Sequence, residues 1–172
     1  SNTMRNVFGL TGVFVWAFSA TCNTMVSNLM GQQKEEKVIE AITRIMLWSV
    51  GLCLLMCLLI NIFPEVFFGF FGQGKEFIDQ AIPVLRVVSV GLLFMSIANV
   101  WLNGVTGTGK TRMNLAIEII AITVYLIYTW IFVKVHFISL AMAWSNELVY
   151  WTTIFLLSFI FLKSGKWKKS AK

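Results

Sequence analysis

Charge is scarce in this chain. Only 13% of its 172 residues are charged, about half of what a soluble domain carries. There is one aspartate, Asp79, and one histidine, His136. Cysteines number three and prolines two. Each scarcity excludes something. A soluble helical protein needs a polar face along every helix, and too few polar residues are present to make one. A disulfide scaffold is dense in cysteine; here Cys22, Cys53 and Cys57 all fall in apolar stretches and read as free thiols. Cys53 and Cys57 share a helix face, but a soft metal needs more ligands, and His136 lies far along the chain. Neither a disulfide nor a metal cluster is expected.

Apolar sequence is what the chain has in abundance. Hydrophobic residues make up 58% of it. They gather into five nearly uncharged stretches, at 6–30, 42–63, 84–103, 113–133 and 136–162. Each reaches the ~20 residues an α-helix needs to cross a ~30 Å hydrocarbon core. Backbone groups in lipid must be satisfied within the segment, so such stretches are helices. The expected fold is all-α: a polytopic transmembrane bundle of about five spans. Residues 1–172 form a single membrane domain ending in a basic tail, 163–172. Short loops make neighbouring spans antiparallel. The longest loop, 64–74, is rich in phenylalanine. It is expected to dip into the interface as an aromatic anchor or a short helix.

Lysine and arginine set the orientation. Lys34, Lys37, Arg44, Lys110, Arg112 and the tail lysines 163, 166, 168, 169 and 172 place ten of the 14 basic residues on one side. Arg5, Lys75 and Lys134 are on the other, and Arg86 sits near the start of span three. This bias predicts a multi-pass protein of the cell's inner (plasma) membrane, with its C-terminus cytoplasmic and its N-terminus outside. The net charge of +6 then reports topology and attraction to acidic headgroups; no nucleic-acid partner is expected. The first stretch follows a single basic residue, Arg5, with no small-residue cleavage site after a short core. An odd number of spans with an outside N-terminus suggests a piece of a longer protein, with at least one helix upstream.

The segment from Gly104 to Thr111, GVTGTGKT, matches the P-loop pattern G-x-x-x-x-G-K-[ST]. A P-loop needs a strand before the glycines and a helix N-terminus after them. A nucleotide enzyme also needs an acid at the end of a second strand to hold magnesium. Here an apolar span precedes the glycines, and the lone aspartate is expected across the membrane. The match reads as a cytoplasmic turn. Gly107 and Gly109 would permit it, and Thr108 or Thr111 would cap the following helix. An ATPase remains the less favoured alternative, and no enzyme activity is expected.

Polar residues inside spans face the bundle interior or a water-filled cavity. Ser19, Asn23 and Ser27 recur every four residues in span one, beside Thr24 and Asn28. Ser89, Ser96, Asn99 and Asn103 form a second stripe in span three. Either stripe can serve as glue between helices; together they suggest a polar cavity. Two carboxylates stand out further. Glu118 lies a third of the way into span four, and Glu147 lies mid-span in span five. Trp144 and Trp151 fall on the face of Glu147, with Tyr150 adjacent. A carboxylate in apolar surroundings can take up and release a proton, and aromatic faces beside it suit an organic cation. A structural hydrogen bond or ion pair is the plainer role for each, and Arg86 is one available partner. The candidate substrate- or ion-binding residues are Glu147, Trp144, Trp151, Glu118, Asn99, Ser96 and Asn23.

The polar stripe and its exit, ATCNTMVSNLMGQ at 20–32 followed by Lys34, Glu35 and Glu36, resemble the second helix of a lobe in the MATE multidrug and toxin extrusion transporters. Asn103 to Gly109, NGVTGTG, is similar to the glycine turn after the fourth helix of such a lobe. The resemblance implies that the chain is about helices eight to twelve of twelve, most of the C-terminal lobe. It implies a secondary antiporter that exports cationic amphipathic compounds against a Na+ or H+ gradient, without a bound cofactor. Its partners would be membrane lipid, a cationic organic substrate, and the missing N-terminal lobe and upstream helix. A lipid-linked oligosaccharide flippase of the same fold is the alternative. Some members of the family carry an acid in the tenth helix for coupling, whereas span three has none between Ala81 and Lys110. The family's glycine turn is often followed by an aspartate, where this chain has Lys110.

Overall fold

A computed structural model describes residues 2–70, 72, 74–135 and 140–168. The described residues form helices and turns, with no strand among them. Helix α1 spans Asn2–Gly31, α2 Val38–Ile62, α3 Pro64–Gly69, α4 Lys75–Gly107, α5 Thr111–Val135 and α6 Leu140–Lys163. Five of them are long and apolar enough to cross a membrane, over Gly9–Gly31, Glu35–Ile62, Ile78–Gly107, Thr111–Phe132 and Ser145–Lys163.

Local chemistry sets each boundary. After α1 the chain turns at Gln33, whose φ is +57°, and the Lys34 amide bonds back to the Leu29 carbonyl. One 3-10 turn, Glu35–Lys37, leads into α2. That helix stops at Phe63, which leaves the helical region (φ −119°, ψ 54°), because Pro64 bars its predecessor from it. Pro64 then starts α3, where its missing N–H costs nothing. Between α4 and α5 the turn rests on Gly109, at φ +80°. Gly165, at φ +69°, ends α6.

Helix α4 is the axis of the bundle. It packs against α1, α2 and α6, while α5 packs chiefly on α6. Half of the α4 span is buried (50%), against 11% of the α5 span. At 33 residues, α4 is roughly 50 Å long, well over the hydrocarbon thickness. It begins earlier than the apolar stretch from 84 suggests and carries Pro83 within it.

The core has two parts. At the end holding the basic turns, Val26, Ile42, Trp101, Val105, Ile154 and Trp167 interlock. Trp101 meets Phe155 and Phe159 edge-on, at centroid distances of 6.0 and 5.1 Å, and its indole N–H lies 3.0 Å from the Met46 sulfur. Toward the opposite end, Cys53, Cys57, Phe68, Leu85 and Met95 form a second cluster. The phenylalanine-rich loop is thus partly the short helix α3. Phe68 is fully buried, whereas Phe70 is 87% exposed. Many large apolar side chains point outward, among them Leu47, Trp48, Trp130 and Ile160. In water such a surface would aggregate; in a bilayer it faces acyl chains. The three cysteines are buried and free.

Two glycines thought to serve one turn have different jobs. Gly107 is not in the turn at all: it is the last residue of α4. A Cβ there would stand 2.7 Å from the Val26 Cβ and 2.9 Å from the Asn23 carbonyl oxygen. Gly107 therefore lets the α1 and α4 backbones touch, as small residues do between membrane helices. Gly109 alone makes the left-handed turn. Thr108 donates to its own Val105 carbonyl, and Lys110, not a threonine, precedes the first helical residue of α5.

Candidate functional site

Helices α5 and α6 meet along a seam of polar and aromatic side chains. Glu147 is half-buried on α6, and the Trp151 indole N–H donates to its Oε2 at 3.1 Å. One turn apart on a helix, the two side chains share a face. Tyr150 packs edge-on against Trp151 at 4.9 Å and against Tyr125 of α5 at 6.1 Å. Its phenol lies within electrostatic reach of both Glu118 and Glu147. Two carboxylates from two helices thus lie in the neighbourhood of one tyrosine, within spans that are otherwise almost free of charge.

Glu118 is also held from the other side. The Asn114 amide donates to its Oε1 at 3.2 Å, and Thr106 of α4 donates to the Asn114 Oδ1 at 3.2 Å. Farther along the seam, Asn146 donates to the Thr129 hydroxyl at 3.0 Å, and the Tyr128 and Ser145 hydroxyls are 3.1 Å apart. All residues from Ser145 to Thr153 keep part of their surface exposed. A tightly packed helix would hide a full stripe of such a run; this stretch of α6 instead offers a partly open face.

The other candidate residues lie elsewhere. Asn23 is half-buried near the α1–α4 crossing, where Ser27 donates to the Gly107 carbonyl at 3.2 Å. Ser96 is fully buried, donates to the Leu93 carbonyl at 2.8 Å and neighbours Cys53 of α2. The Asn103 amide donates to the Asn99 side chain at 3.2 Å. Among the described residues, no hydrogen bond links Asn23, Ser96 or Asn99 to Glu147 or Trp151. Ser19 and Ser89 likewise bond to carbonyls four residues back, at 2.8 Å each. The two stripes therefore act in part as helix-internal and helix-to-helix bonds. Asn99 and Asn103 do share a face of α4 with Thr106, which leads into the Asn114–Glu118 pair. The Trp144 side chain and His136 lie outside the described residues.

Sequence reasoning passed over Asn114, Thr106 and Tyr125. The i, i+4 spacing of Asn114 and Glu118 was the available signal, because such pairs face each other. Cavities lie at the bundle's ends. One of about 480 Å³ is lined by Lys110, Arg112, Met113, Phe161 and Lys166. A neighbour of about 430 Å³ lies between Ser27, Gly107 and Trp167. A third, apolar and about 270 Å³, lies beside Phe63 and Phe67 at the opposite end. Glu118 and Glu147 line none of these three.

The sequence matches the MatE family over residues 2–131. It is also similar to the probable multidrug resistance protein NorM of Thermotoga maritima. The two are 25% identical over 170 residues, which cover 96% of this chain and 36% of that relative. The chain thus spans about a third of the length of the curated relative it matches. No solved structure matches it.

Proposed function

This chain belongs to the MatE family, and from that premise we propose that it is the C-terminal part of an ion-coupled multidrug efflux antiporter, about helices eight to twelve. Family members are transporters, and the matched relative carries a multidrug resistance name. The observation that supports a cationic substrate is the α5–α6 seam. It sets Glu147, bonded to Trp151, beside the Tyr125–Tyr150 pair, with Glu118 in electrostatic reach of Tyr150. In the whole protein the partly open α6 face lines the cavity between this lobe and the missing one.

The chemistry of the proposed cycle is competition for one carboxylate. An unpaired charged carboxylate costs ~2.5–3.5 kcal/mol at the centre of a bilayer and less toward its surface; Glu147 lies near the Ser145 end of its span. In this cycle Glu147 is neutralised in turn by a proton or Na+ and by the organic cation, while the Trp151 N–H hydrogen-bonds its Oε2. Aromatic faces beside it attract the same cation by a further ~0.5–2 kcal/mol. Arrival of the coupling ion releases the substrate, and the site reorients only when the ion or the substrate occupies it. A bound ion can shift the two states only by its differential affinity for them, so a site shared by ion and substrate couples the two fluxes.

A flippase for lipid-linked oligosaccharides needs cations in its central cavity, to hold pyrophosphate. The cations that converge in this chain do so at the bundle's end, and the seam is acidic; the drug antiporter is the reading we adopt. Export of a cationic dye by cells making the full-length protein tests it. Glu147→Gln is expected to fold normally and to weaken export more than Glu147→Asp does. Wild-type export and ion coupling by Glu147→Gln, at equal expression, would remove this residue from the site.

A further inference from the structure

We propose that the cleft beside the glycine turn is a binding site for the phosphate of an anionic membrane lipid. Its walls come from two separated parts of the chain. Lys110, Arg112 and Met113 come from the start of α5, and Phe161 and Lys166 from the end of α6 and the turn beyond it. Three cations thus line one cleft of about 480 Å³. Among the described residues, none of the three makes an ion pair; the ion pair seen is Arg44 with Glu40 on α2. Like charges repel, and holding three of them around a cavity costs free energy that an anion recovers.

The placement of Lys166 is built rather than accidental. Gly165, at φ +69°, turns the chain back at the end of α6. Trp167 then inserts into the core, only 1% exposed, and its indole N–H donates to the Leu162 carbonyl at 2.7 Å. Between these two fixed points Lys166 stays beside the start of α5. Across the cleft, Gly109 places Lys110 at the mouth of the helix. The P-loop resemblance acquires a physical meaning here: glycine, lysine and a helix start facing phosphate, without the strand that a nucleotide site requires.

Depth identifies the phosphate's owner. The adjoining spans end at Thr111 and Lys163, so the cleft lies at headgroup level. Beside Gly109 and Thr111 of the turn, its remaining lining is Phe161 and the exposed Met113, which give the cleft one apolar edge. A soluble nucleotide has no use for that side, whereas a phospholipid presents phosphate to the cations and glycerol and chains to the apolar edge. Basic pockets between helices at this depth suit lipid headgroups.

The test uses the full-length protein in nanodiscs of phosphatidylcholine doped with phosphatidylglycerol, read by native mass spectrometry. Wild type is expected to retain phosphatidylglycerol selectively. Lys110→Ala/Arg112→Ala/Lys166→Ala should lower that retention by about five-fold per cation, on the order of 100-fold in all. Removing three exposed cations elsewhere, Lys34, Lys37 and Lys75, should lower it far less. A photoreactive phosphatidylglycerol, applied to wild type alone, should label the peptides around Lys110–Met113 and Phe161–Lys166. Equal losses in the two triple variants would overturn the proposal. So would labelling elsewhere, or displacement of the lipid by millimolar inorganic phosphate or ATP, which would mark a soluble-phosphate site.

Discussion

Gly107→Ala is expected to destabilise the bundle, and Gly104→Ala to do so much less, although both glycines are buried in the last turns of α4. The added Cβ at 107 would lie 2.7 Å from the Val26 Cβ, 2.9 Å from its Cγ1 and 2.9 Å from the Asn23 carbonyl oxygen. Comfortable carbon contacts are about 3.5–4.0 Å, so roughly 1 Å of separation must be found. The obstructing atoms are backbone or tied directly to it, so α1 itself must move. That movement also stretches the Ser27 bond to the Gly107 carbonyl, now 3.2 Å. Overpacking of this kind costs about 1–3 kcal/mol. At 104 the nearest atom is the Ile42 Cδ1, at 2.6 Å, followed by its Cγ1 at 3.1 Å. A terminal methyl can rotate aside. Alanine also gains about 1 kcal/mol over glycine inside a helix, which offsets most of the strain. Ile42→Val deletes that Cδ1 and should restore whatever Gly104→Ala loses. The assay is the heat-inactivation midpoint of the full-length protein in detergent, followed by size-exclusion chromatography. Gly107→Ala as stable as wild type, or Gly104→Ala worse than Gly107→Ala, would refute this account of the α1–α4 crossing.

Three further outcomes follow from the same structure. Trp167→Ala should lose about 3–5 kcal/mol of stability, the usual cost of deleting a buried aromatic; Trp167→Phe, which loses chiefly the bond to the Leu162 carbonyl, should recover most of it in the same thermal assay. Asn114→Ala should cost about 0.6 kcal/mol and at most ~1.7, the range of side-chain bonds between membrane helices; a double-mutant cycle with Thr106→Val should show coupling between the two. In a cysteine-free background, an impermeant thiol reagent added to intact cells should label Lys75→Cys and spare Lys34→Cys; the reverse pattern would invert the proposed orientation.

Span number and order are legible because lipid forces uncharged segments to be helices, whatever their neighbours do. Boundaries are less legible. Span three reads as starting near 84, yet α4 begins at Lys75, since Glu76, Asp79 and Arg86 are tolerated on turns outside or at the edge of the hydrocarbon. The carboxylates stand out by charge alone, but their common tyrosine does not, because helix rotation and contact between α5 and α6 decide it. The serine stripes left their partners open for a related reason: Ser19, Ser89 and Ser96 bond back to their own helix, and Ser89 also accepts from Asn61 of α2, a choice their spacing does not reveal. Trp167 sits among tail lysines, and nothing in its neighbours in the sequence marks it as buried. Its burial depends on Gly165 reversing the chain, which needs the third dimension. Gly107 and Gly109 look alike in the sequence, yet one permits close packing and the other a left-handed turn.

Transport by the purified full-length protein in liposomes tests the central claim most directly. A fluorescent organic cation is enclosed with the protein, and a Na+ or proton gradient is imposed in the absence of nucleotide. The account predicts that the gradient drives dye movement, that dissipating it stops movement, and that Glu147→Gln reduces it at equal reconstitution. Dye movement that requires ATP, or a gradient that moves lipid-linked oligosaccharide and no cation, would contradict it.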